Sequence, residues 1–456
     1  MKPRGEVLLV ACYELGHQPL SVAWPAAFLE RAGHVPAVMD VSVEPFDPDR
    51  ARAARVVAIA VPMHTALRVG VKVAGQVRAV NPGCHVCFYG LYALLNADYL
   101  LAGVADSVLG GESEEALVAL VERVLAAAPA GTPSPRASLV KLDFPPPARA
   151  QLPGLKQYVR LERDGRQELT AYVEASRGCL HRCRHCPIPP VYGGRFFVVP
   201  RETVLADARQ QIEAGARHVT FGDPDFLNGP GHALAVARAL HAEFPDVTFD
   251  VTAKVEHLLA HRRHLPELGG LGCLFVVSAV ESLSDTVLAH LDKGHTAADV
   301  RPALVAVRAA GITLRPTWVA FTPWTTLADY RRMLDFVEGE DLVDAVDPVQ
   351  YSIRLLVPPG SLLLESEAMR PWLRAFAPDE LHHRWQHPDP RMERLHADAS
   401  ALVAEAAERG EDAAVTFARV RALAEAAEGL PPRPPATRDT AARRRVAPRL
   451  TEPWFC

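Results

Sequence analysis

The chain has no apolar segment long enough to cross a bilayer. Its longest apolar runs, Val56–Met63 and Leu271–Val280, are much shorter than the roughly 20 residues that a membrane-spanning helix needs. Near the N-terminus only Val7–Cys12 is continuously apolar, which is typical of a buried strand and not of a signal peptide. Positive charge is not in excess either, because the formal net charge is -5. We therefore expect neither a membrane nor a nucleic acid as a partner.

Cysteine is too scarce for a disulfide-stabilised protein, with 8 residues in a chain of 456. Three of them form one short run, Cys179, Cys183 and Cys186, with the spacing C-x-x-x-C-x-x-C. Thiolates that bind a metal must stay reduced, so we expect a cytoplasmic protein. The length allows two or three domains, and a hydrophobic content of 49% is ordinary for a globular protein.

The spacing of this run places three thiolates on one loop, which Gly178 and Pro187 bracket. Three thiolates can bind three irons of a 4Fe–4S cluster and leave the fourth iron open, whereas an electron-transfer cluster normally takes four cysteines. A structural zinc with His181 or His185 is one alternative, and simple core packing of the cysteines is another. No second Cys or His pair follows at zinc-finger spacing. The pattern therefore favours a cluster that retains a free coordination site.

Residues 1–128 alternate between short apolar segments and segments of helical length. This alternation predicts an α/β domain with a parallel, doubly wound sheet of the flavodoxin-like kind. Ligands of such sheets bind outside the carboxyl ends of the strands. Residues 129–170 are rich in proline and alanine and are predicted to be a linker. The predicted strands are Val7–Cys12, Val56–Val61, Val86–Tyr89 and Ser107–Leu109.

A second alternation covers residues 171–365 and predicts an open, partial (β/α)6 barrel. Barrel active sites lie at the carboxyl ends of the strands, and the cysteine run follows the first predicted strand. Residues 366–430 are predicted to be a helical extension, including Glu367–Phe376, and residues 431–456 a tail rich in proline and arginine. The six predicted barrel strands are Ala171–Ala175, His218–Gly222, Thr248–Thr252, Cys273–Ala279, Thr313–Phe321 and Val349–Leu356.

The cysteine run and the barrel pattern that follows it resemble the radical S-adenosylmethionine (radical SAM) superfamily over roughly residues 171–360. The resemblance implies that Cys179, Cys183 and Cys186 hold a 4Fe–4S cluster and that S-adenosylmethionine chelates the open iron. It also implies cleavage of a carbon–sulfur bond of S-adenosylmethionine by one electron. A reductase such as flavodoxin or ferredoxin would supply that electron.

Further positions match the segments with which this family binds S-adenosylmethionine. His185 stands where an aromatic residue usually supports adenine, and Gly222 and Asp223 match the motif that receives the amine, although one glycine of the usual pair is absent. A simple strand-ending turn is the alternative for these two residues. For Lys293, the alternative is a solvated position at a helix end. The residues expected to bind S-adenosylmethionine are His185, Gly222, Asp223, Glu281, Ser282 and Lys293.

A doubly wound domain placed before the barrel resembles the cobalamin-binding-domain group of the superfamily, as does the turn Gly110-Gly111-Glu112. The resemblance implies cobalamin as a further cofactor. The D-x-H-x-x-G motif that supplies a cobalt ligand in many cobalamin proteins is missing. Cobalamin is therefore expected without a cobalt ligand from the protein, and the domain is better supported than the cofactor.

The end of the chain, Thr451-Glu452-Pro453-Trp454-Phe455-Cys456, resembles the CUAEP/CCAEP-tail subgroup of radical SAM enzymes. Arg449 and Leu450 occupy the positions of the paired cysteines, so only Cys456 is left as a catalytic candidate, with an inert terminal cysteine as the alternative. The whole pattern predicts a radical SAM enzyme that transfers a methyl or aminocarboxypropyl group to a small-molecule substrate. The competing hypothesis is a non-catalytic zinc or iron–sulfur electron-transfer module.

Overall fold

The computed structural model describes residues 5–127, 135–431 and 447–452. The first part of the chain forms one parallel sheet with the strand order β2-β1-β3-β4-β5-β6. This is the flavodoxin-like order, with its switch point between β1 and β3. The strands are β1 (Val7–Ala11), β2 (Ala37–Asp40), β3 (Val56–Ala60), β4 (His85–Tyr89), β5 (Ser107–Gly111) and β6 (Arg136–Ser138).

Helices cover both faces of this sheet. The wholly apolar segments of β1 and β3 are buried along their full length, as expected for central strands covered on both sides. Helices α1 and α6 pack on one face, and α3, α4 and α5 pack on the other. The predicted doubly wound domain is confirmed. The helices are α1 (Leu20–Arg31), α2 (Pro48–Ala53), α3 (His64–Val80), α4 (Leu91–Leu95), α5 (Ala97–Leu101) and α6 (Glu114–Leu125).

The second sheet has the order β14-β13-β12-β11-β8-β7-β17. Strands β8, β11, β12, β13 and β14 run parallel to one another, and β7 and β17 extend the sheet with antiparallel pairing. The sheet is open, because β14 and β17 lie at its two ends. The strands are β7 (Arg160–Arg163), β8 (Arg166–Val173), β9 (Ser176–Gly178), β10 (Phe196–Val198), β11 (His218–Phe221), β12 (Thr248–Thr252), β13 (Cys273–Glu281), β14 (Thr313–Trp318), β15 (Leu373–Ala377), β16 (His382–Trp385) and β17 (Arg449–Leu450).

The main hydrophobic core lies between this second sheet and the helices that follow its strands. The C-terminal helices α15 and α16 also bury apolar side chains in that core. No helix in the described ranges has the length and apolar character needed to span a membrane. The helices are α7 (Ile188–Tyr192), α8 (Arg201–Glu213), α9 (Pro230–Glu243), α10 (Val255–Ala260), α11 (Leu265–Gly270), α12 (Asp285–Leu291), α13 (Ala297–Ala309), α14 (Leu327–Gly339), α15 (Pro390–Glu408) and α16 (Ala413–Glu428).

Two predicted elements differ from the structure, and each contains a proline or directly follows one. In place of the predicted strand Val349–Leu356, a 3-10 turn over Pro348–Tyr351 precedes a single parallel bridge between Phe321 and Arg354. The predicted helix Glu367–Phe376 contains Pro371, which cannot donate a helical hydrogen bond, and that segment turns into β15 of a short hairpin. The partial barrel and a helical C-terminal region are confirmed.

The segment predicted to be a linker contains ordered strands. Strand β6 extends the first sheet, and β7 with β8 forms a hairpin of the second. Arg149 crosses from this segment to α8, where its guanidinium donates to both carboxylate oxygens of Asp207 at 2.5 and 2.8 Å. The two sheets are therefore connected by packed structure. Strand β2 and helix α2 were not predicted, because each is only a few residues long and begins beside a proline.

Candidate active site

The cysteine loop follows β8 and β9 at the carboxyl end of the first barrel strand. Cys179 and Cys183 are buried, and Cys186 is partly exposed. Gly178 has φ +75°, and a Cβ there would lie 2.5 Å from the carbonyl oxygen of Arg195, so glycine is required at this close approach. The Cys179 amide donates to that same carbonyl at 3.1 Å. Backbone contacts therefore hold the loop in place.

The electrostatics of the three cysteines suit a multinuclear cluster. Burial raises the pKa of the Cys186 thiol to about 12, and the neighbouring Cys183 and Cys179 add to the rise. A thiol whose pKa is raised in this way is ionised at neutral pH only when metal charge compensates it. Within the described ranges, their three sulfur atoms do not form a group within 4.8 Å of one another, which a single tetrahedral ion would need. The donor set fits an iron–sulfur cluster better than one zinc ion.

Three of the predicted S-adenosylmethionine residues meet beside this loop. Glu281, the last residue of β13, accepts from Lys293 Nζ at 3.1 Å and contacts His185 Nε2 at 3.2 Å. Burial opposes ionisation of Glu281, but Lys293 and His185 outweigh it and lower the pKa of its carboxyl to about 2. Glu281 is thus a carboxylate at all ordinary pH values. Its φ of 65° is unusual for a residue with a side chain and marks a constrained strand end.

The other predicted residues lie at neighbouring strand ends. Asp223 is buried and accepts from the Ala175 amide at 2.9 Å and from the Ser176 hydroxyl at 2.5 Å, so it fastens the segment before the cysteines. Burial raises its pKa to about 7. Ser282 accepts from the Ser284 amide at 3.1 Å in the turn before α12. Their roles toward S-adenosylmethionine stay predictions, and Cys456 lies outside the described residues.

Gly222 provides a close approach to β8 within the barrel, next to a contact with the first domain. A Cβ at this position would lie 2.3 Å from the Tyr172 hydroxyl oxygen. The Tyr172 ring in turn stacks on His17, with ring centres 4.5 Å apart. Packing against Tyr172 therefore explains why glycine occupies this position. Its role in binding the amine of S-adenosylmethionine stays a prediction.

Sequence reasoning missed two residues that position the loop. Asn228 Oδ1 accepts from the Leu180 amide at 3.3 Å and lies 3.8 Å from the sulfur of Cys179, while its buried Nδ2 has no partner in the described part of the chain. Arg177 donates to Glu174 at 2.9 Å and to Glu114 at 2.5 Å. Two features of the sequence could have identified them. Asn228 is an amide side chain in the segment after β11, and Arg177 is a cation two residues before the first cysteine.

Two cavities adjoin the site. A cavity of about 240 Å³ separates the carboxyl ends of β1, β3, β4 and β5 from the barrel, and Glu14, Met63, Gly90, Glu114 and Tyr192 are among its lining residues. A larger cavity of about 850 Å³ extends from His185 to α15. Both cavities therefore border the cysteine loop, one at the first sheet and the other toward the C-terminal region.

The radical SAM superfamily model matches residues 173–336 of this chain. The chain is 28% identical over 190 residues to the ribosomal protein uS12 methylthiotransferase RimO of Geobacter sulfurreducens, which is 37% of this chain and 40% of that protein. It is 27% identical over 225 residues to the tRNA-2-methylthio-N(6)-dimethylallyladenosine synthase of Alkalilimnicola ehrlichii, covering 46% and 49%. The chain thus spans about half the length, or less, of these relatives.

Solved structures share the two-domain fold. The cobalamin-dependent S-adenosylmethionine radical enzyme OxsB, solved with aqua-cobalamin, aligns with a TM-score of 0.66 and 14% identity over 88% of this chain and 66% of that chain. The radical S-adenosylmethionine methyltransferase TsrM of Kitasatospora setae aligns with a TM-score of 0.64 and 15% identity over 87% and 88%. The predicted resemblance is confirmed, and with it a 4Fe–4S cluster and S-adenosylmethionine as the cofactors of this domain type. The chain therefore carries a radical SAM domain within the fold that cobalamin-dependent radical SAM enzymes share.

Proposed function

We propose that this protein cleaves S-adenosylmethionine at a 4Fe–4S cluster and transfers a group, most simply methyl, to a small molecule. The observation that carries the proposal is the position of Cys179, Cys183 and Cys186 on one loop at the carboxyl end of β8, inside the matched domain. Three cysteine ligands leave one iron for the cosubstrate. When bound, the cluster supplies the electron that breaks a carbon–sulfur bond.

The residues around the loop would bind and orient the cosubstrate. The ionised Glu281 has the chemistry to accept charge-assisted hydrogen bonds from two ribose hydroxyls. Lys293 keeps this buried carboxylate compensated until the hydroxyls arrive. His185 presents a flat ring beside the third cysteine for adenine. Gly222 and Asp223 would place the backbone that receives the amine, and Ser282 supports the turn next to Glu281.

Cobalamin would lie in the 240 Å³ cavity, at the position where doubly wound sheets bind ligands. The buried Glu114 Oε2 has no hydrogen-bond partner in the described ranges and lies among the lining residues, so a polar group is available to a ligand. The cavity holds only part of so large a cofactor, and its loops would have to separate to admit the rest. His17 stacks on Tyr172, and burial lowers its pKa to about 3. We propose cobalamin without a histidine on cobalt.

The substrate would occupy the 850 Å³ cavity, which reaches His185 at one end. Its volume is in the usual range for small-molecule sites, roughly 300–1,000 Å³. Arg68, Arg354 and Arg384 are among its lining residues, and because Arg354 pairs with Glu393 and Arg384 with Glu380, the lining favours a polar molecule. A reducing, cytoplasmic environment and a flavodoxin or ferredoxin as electron donor belong to the same proposal.

The test is anaerobic reconstitution of the full chain, followed by reduction with added S-adenosylmethionine. We expect about four irons per chain and release of a nucleoside. S-adenosylhomocysteine indicates methyl transfer, 5′-deoxyadenosine indicates radical formation, and methylthioadenosine indicates aminocarboxypropyl transfer. Cys183→Ala should lose the iron and the cleavage, and the buried Cys273→Ala is its matched control. Zinc without iron, and no cleavage, would instead support the non-catalytic module.

Cobalamin binding is tested separately by passing hydroxocobalamin-treated protein through a desalting column and measuring the retained absorbance. Leu91 lines the proposed cavity, and Leu91→Trp should reduce the retained cofactor because the larger ring fills the space. Val305→Trp, at a surface position with 59% exposure, is the control and should retain as much as the unmodified protein. Equal loss or equal retention in both variants contradicts the placement.

A further inference from the structure

Two imidazoles and a carboxylate form a compact group beside the cysteine loop. His181 lies between Cys179 and Cys183, Asp225 follows β11, and His257 lies on α10. One nitrogen or oxygen atom from each of His181, Asp225 and His257 lies within 4.8 Å of the other two. The group is therefore built by three segments that are far apart in sequence.

The three residues are close enough for one atom from each to bind the same ion. His181 Nε2 lies 3.1 Å from His257 Nε2. Two nitrogen ligands at 2.0–2.1 Å from one ion would be that far apart at an angle of about 98°, between the tetrahedral and octahedral ranges. The other nitrogen of the His257 ring, Nδ1, lies 2.9 Å from Asp225 Oδ2, and His257 would bind the ion through only one of its two nitrogens. His181 Nδ1 lies 3.6 Å from Glu256 Oε2, a carboxylate in the position of the outer partner that ligating histidines usually have.

Hydrogen bonding alone leaves this group unsatisfied. His257 Nδ1 is buried and has no hydrogen-bond partner in the described ranges, since its close contact with Asp225 is not aligned as a hydrogen bond. Asp225 is fully buried and accepts from the Leu227 amide at 2.9 Å and the Lys254 amide at 3.2 Å. Within those ranges its ion-pair partner is His257, and the Lys254 ammonium pairs with Glu256 at 3.2 Å instead. A buried carboxylate without a permanently charged partner is costly, and a metal ion would compensate it.

We propose that His181, Asp225 and His257 bind one divalent first-row metal ion, zinc or ferrous iron, separate from the 4Fe–4S cluster. Two imidazoles and one carboxylate suit both ions, and three protein ligands leave coordination positions for water or a substrate atom. The ion would lie at the carboxyl ends of β11 and β12, on the same rim as the cysteine loop. The radical SAM domain then carries two metal centres.

The test uses the anaerobic full chain with its cluster already reconstituted, so that the cysteines are occupied. Co²⁺ alone is added, excess metal is removed by desalting, and bound cobalt and iron are counted by elemental analysis. We expect one cobalt in addition to the cluster iron, with weak visible ligand-field bands and no sulfur-to-cobalt charge-transfer band. No retained cobalt on cluster-loaded protein, or a sulfur-to-cobalt band, overturns the proposal.

His257→Gln should weaken cobalt binding by at least about 10-fold while the cluster iron stays unchanged. His261→Gln is the matched control, because its ring lies 5.5 Å from that of His257 but outside the group, and it should bind cobalt normally. Asp225→Asn is a second variant that keeps the cap on the following turn, since asparagine also caps well. Cobalt binding in His257→Gln and Asp225→Asn as tight as in the unmodified protein would refute the site, whatever the cluster does.

Discussion

Arg177 Nη1 lies 2.5 Å from Glu114 Oε1 and so joins the cysteine loop of the second sheet to the end of the first. The same guanidinium contacts Glu174 at 2.9 Å and Glu112 at 3.5 Å. The guanidinium of Arg177, which lies two residues before Cys179, thus compensates three largely buried carboxylates. The relationship couples the geometry of the cluster loop to the turn that closes the first domain.

Arg177→Met is expected to lower the free energy of unfolding by about 3–5 kcal/mol, because it leaves buried carboxylates without their cation. Urea unfolding followed by circular dichroism measures the loss. Arg182→Ala is the control within the same loop, since Arg182 is exposed and, among the described residues, donates to the Gly193 carbonyl alone. A loss no larger than that of the control would show that solvent already compensates the three acids.

Glu14→Gln is expected to change how stability depends on pH. Burial raises the pKa of the Glu14 carboxyl from 4.5 to about 7. Between pH 4.5 and about pH 7 the carboxyl is therefore protonated in the folded state and ionised in the unfolded state. The stabilisation is complete below pH 4.5, falls as the pH rises, and is lost above about 7. Its size is at most about 3 kcal/mol.

Glutamine cannot titrate, and its single oxygen can accept from only one of the two amides at the start of α1, which donate to Oε1 and Oε2 of Glu14 at 3.0 and 3.1 Å. The lost hydrogen bond lowers stability at every pH and leaves the pH dependence to report the titration. The unfolding free energy of the variant should therefore vary less than that of the unmodified protein between about pH 5 and about pH 8. Urea titrations at the two pH values give the comparison. Parallel pH profiles for the two proteins would contradict a raised pKa at Glu14.

Gly222→Ala is expected to destabilise the protein by about 1–3 kcal/mol, because the new methyl group collides with the Tyr172 ring. Thermal and urea unfolding report the change. Gly231→Ala in α9 is the matched control, since its Cβ would meet nothing within 4 Å, and it should be neutral or slightly stabilising. A neutral Gly222→Ala would mean that the ring moves freely.

Glu281→Gln is expected to weaken S-adenosylmethionine binding by about 10–100-fold, because a hydrogen bond to a charged group contributes a free energy of that size. Equilibrium dialysis against the cosubstrate, on cluster-loaded protein, measures the affinity. The iron content shows whether the loop is still intact, and the surface variant Glu267→Gln is the control. Unchanged affinity with full iron content would remove Glu281 from the binding site.

The sequence alone was sufficient to predict the two α/β units, the strand ends that form the rim, and the cysteine loop. All three are local patterns, since strands and helices follow hydrophobic periodicity and the cysteines lie within one turn of loop. Short or proline-interrupted elements were predicted poorly, as β2 and the segment Glu367–Phe376 with its Pro371 show. There the local pattern is too brief or is broken by a missing backbone donor.

Only the tertiary structure decided which side chains meet. Glu281 reaches His185 across 96 residues of sequence, and His181 reaches His257 across 76. Asp223 fastens a backbone segment, and Arg177 compensates acids from the other sheet. These partnerships depend on strand order and on the depth at which each chain segment is buried. Neither strand order nor burial depth can be read from the local periodicity of the sequence. The side chains of the rim are therefore brought together only when the parallel strands end side by side.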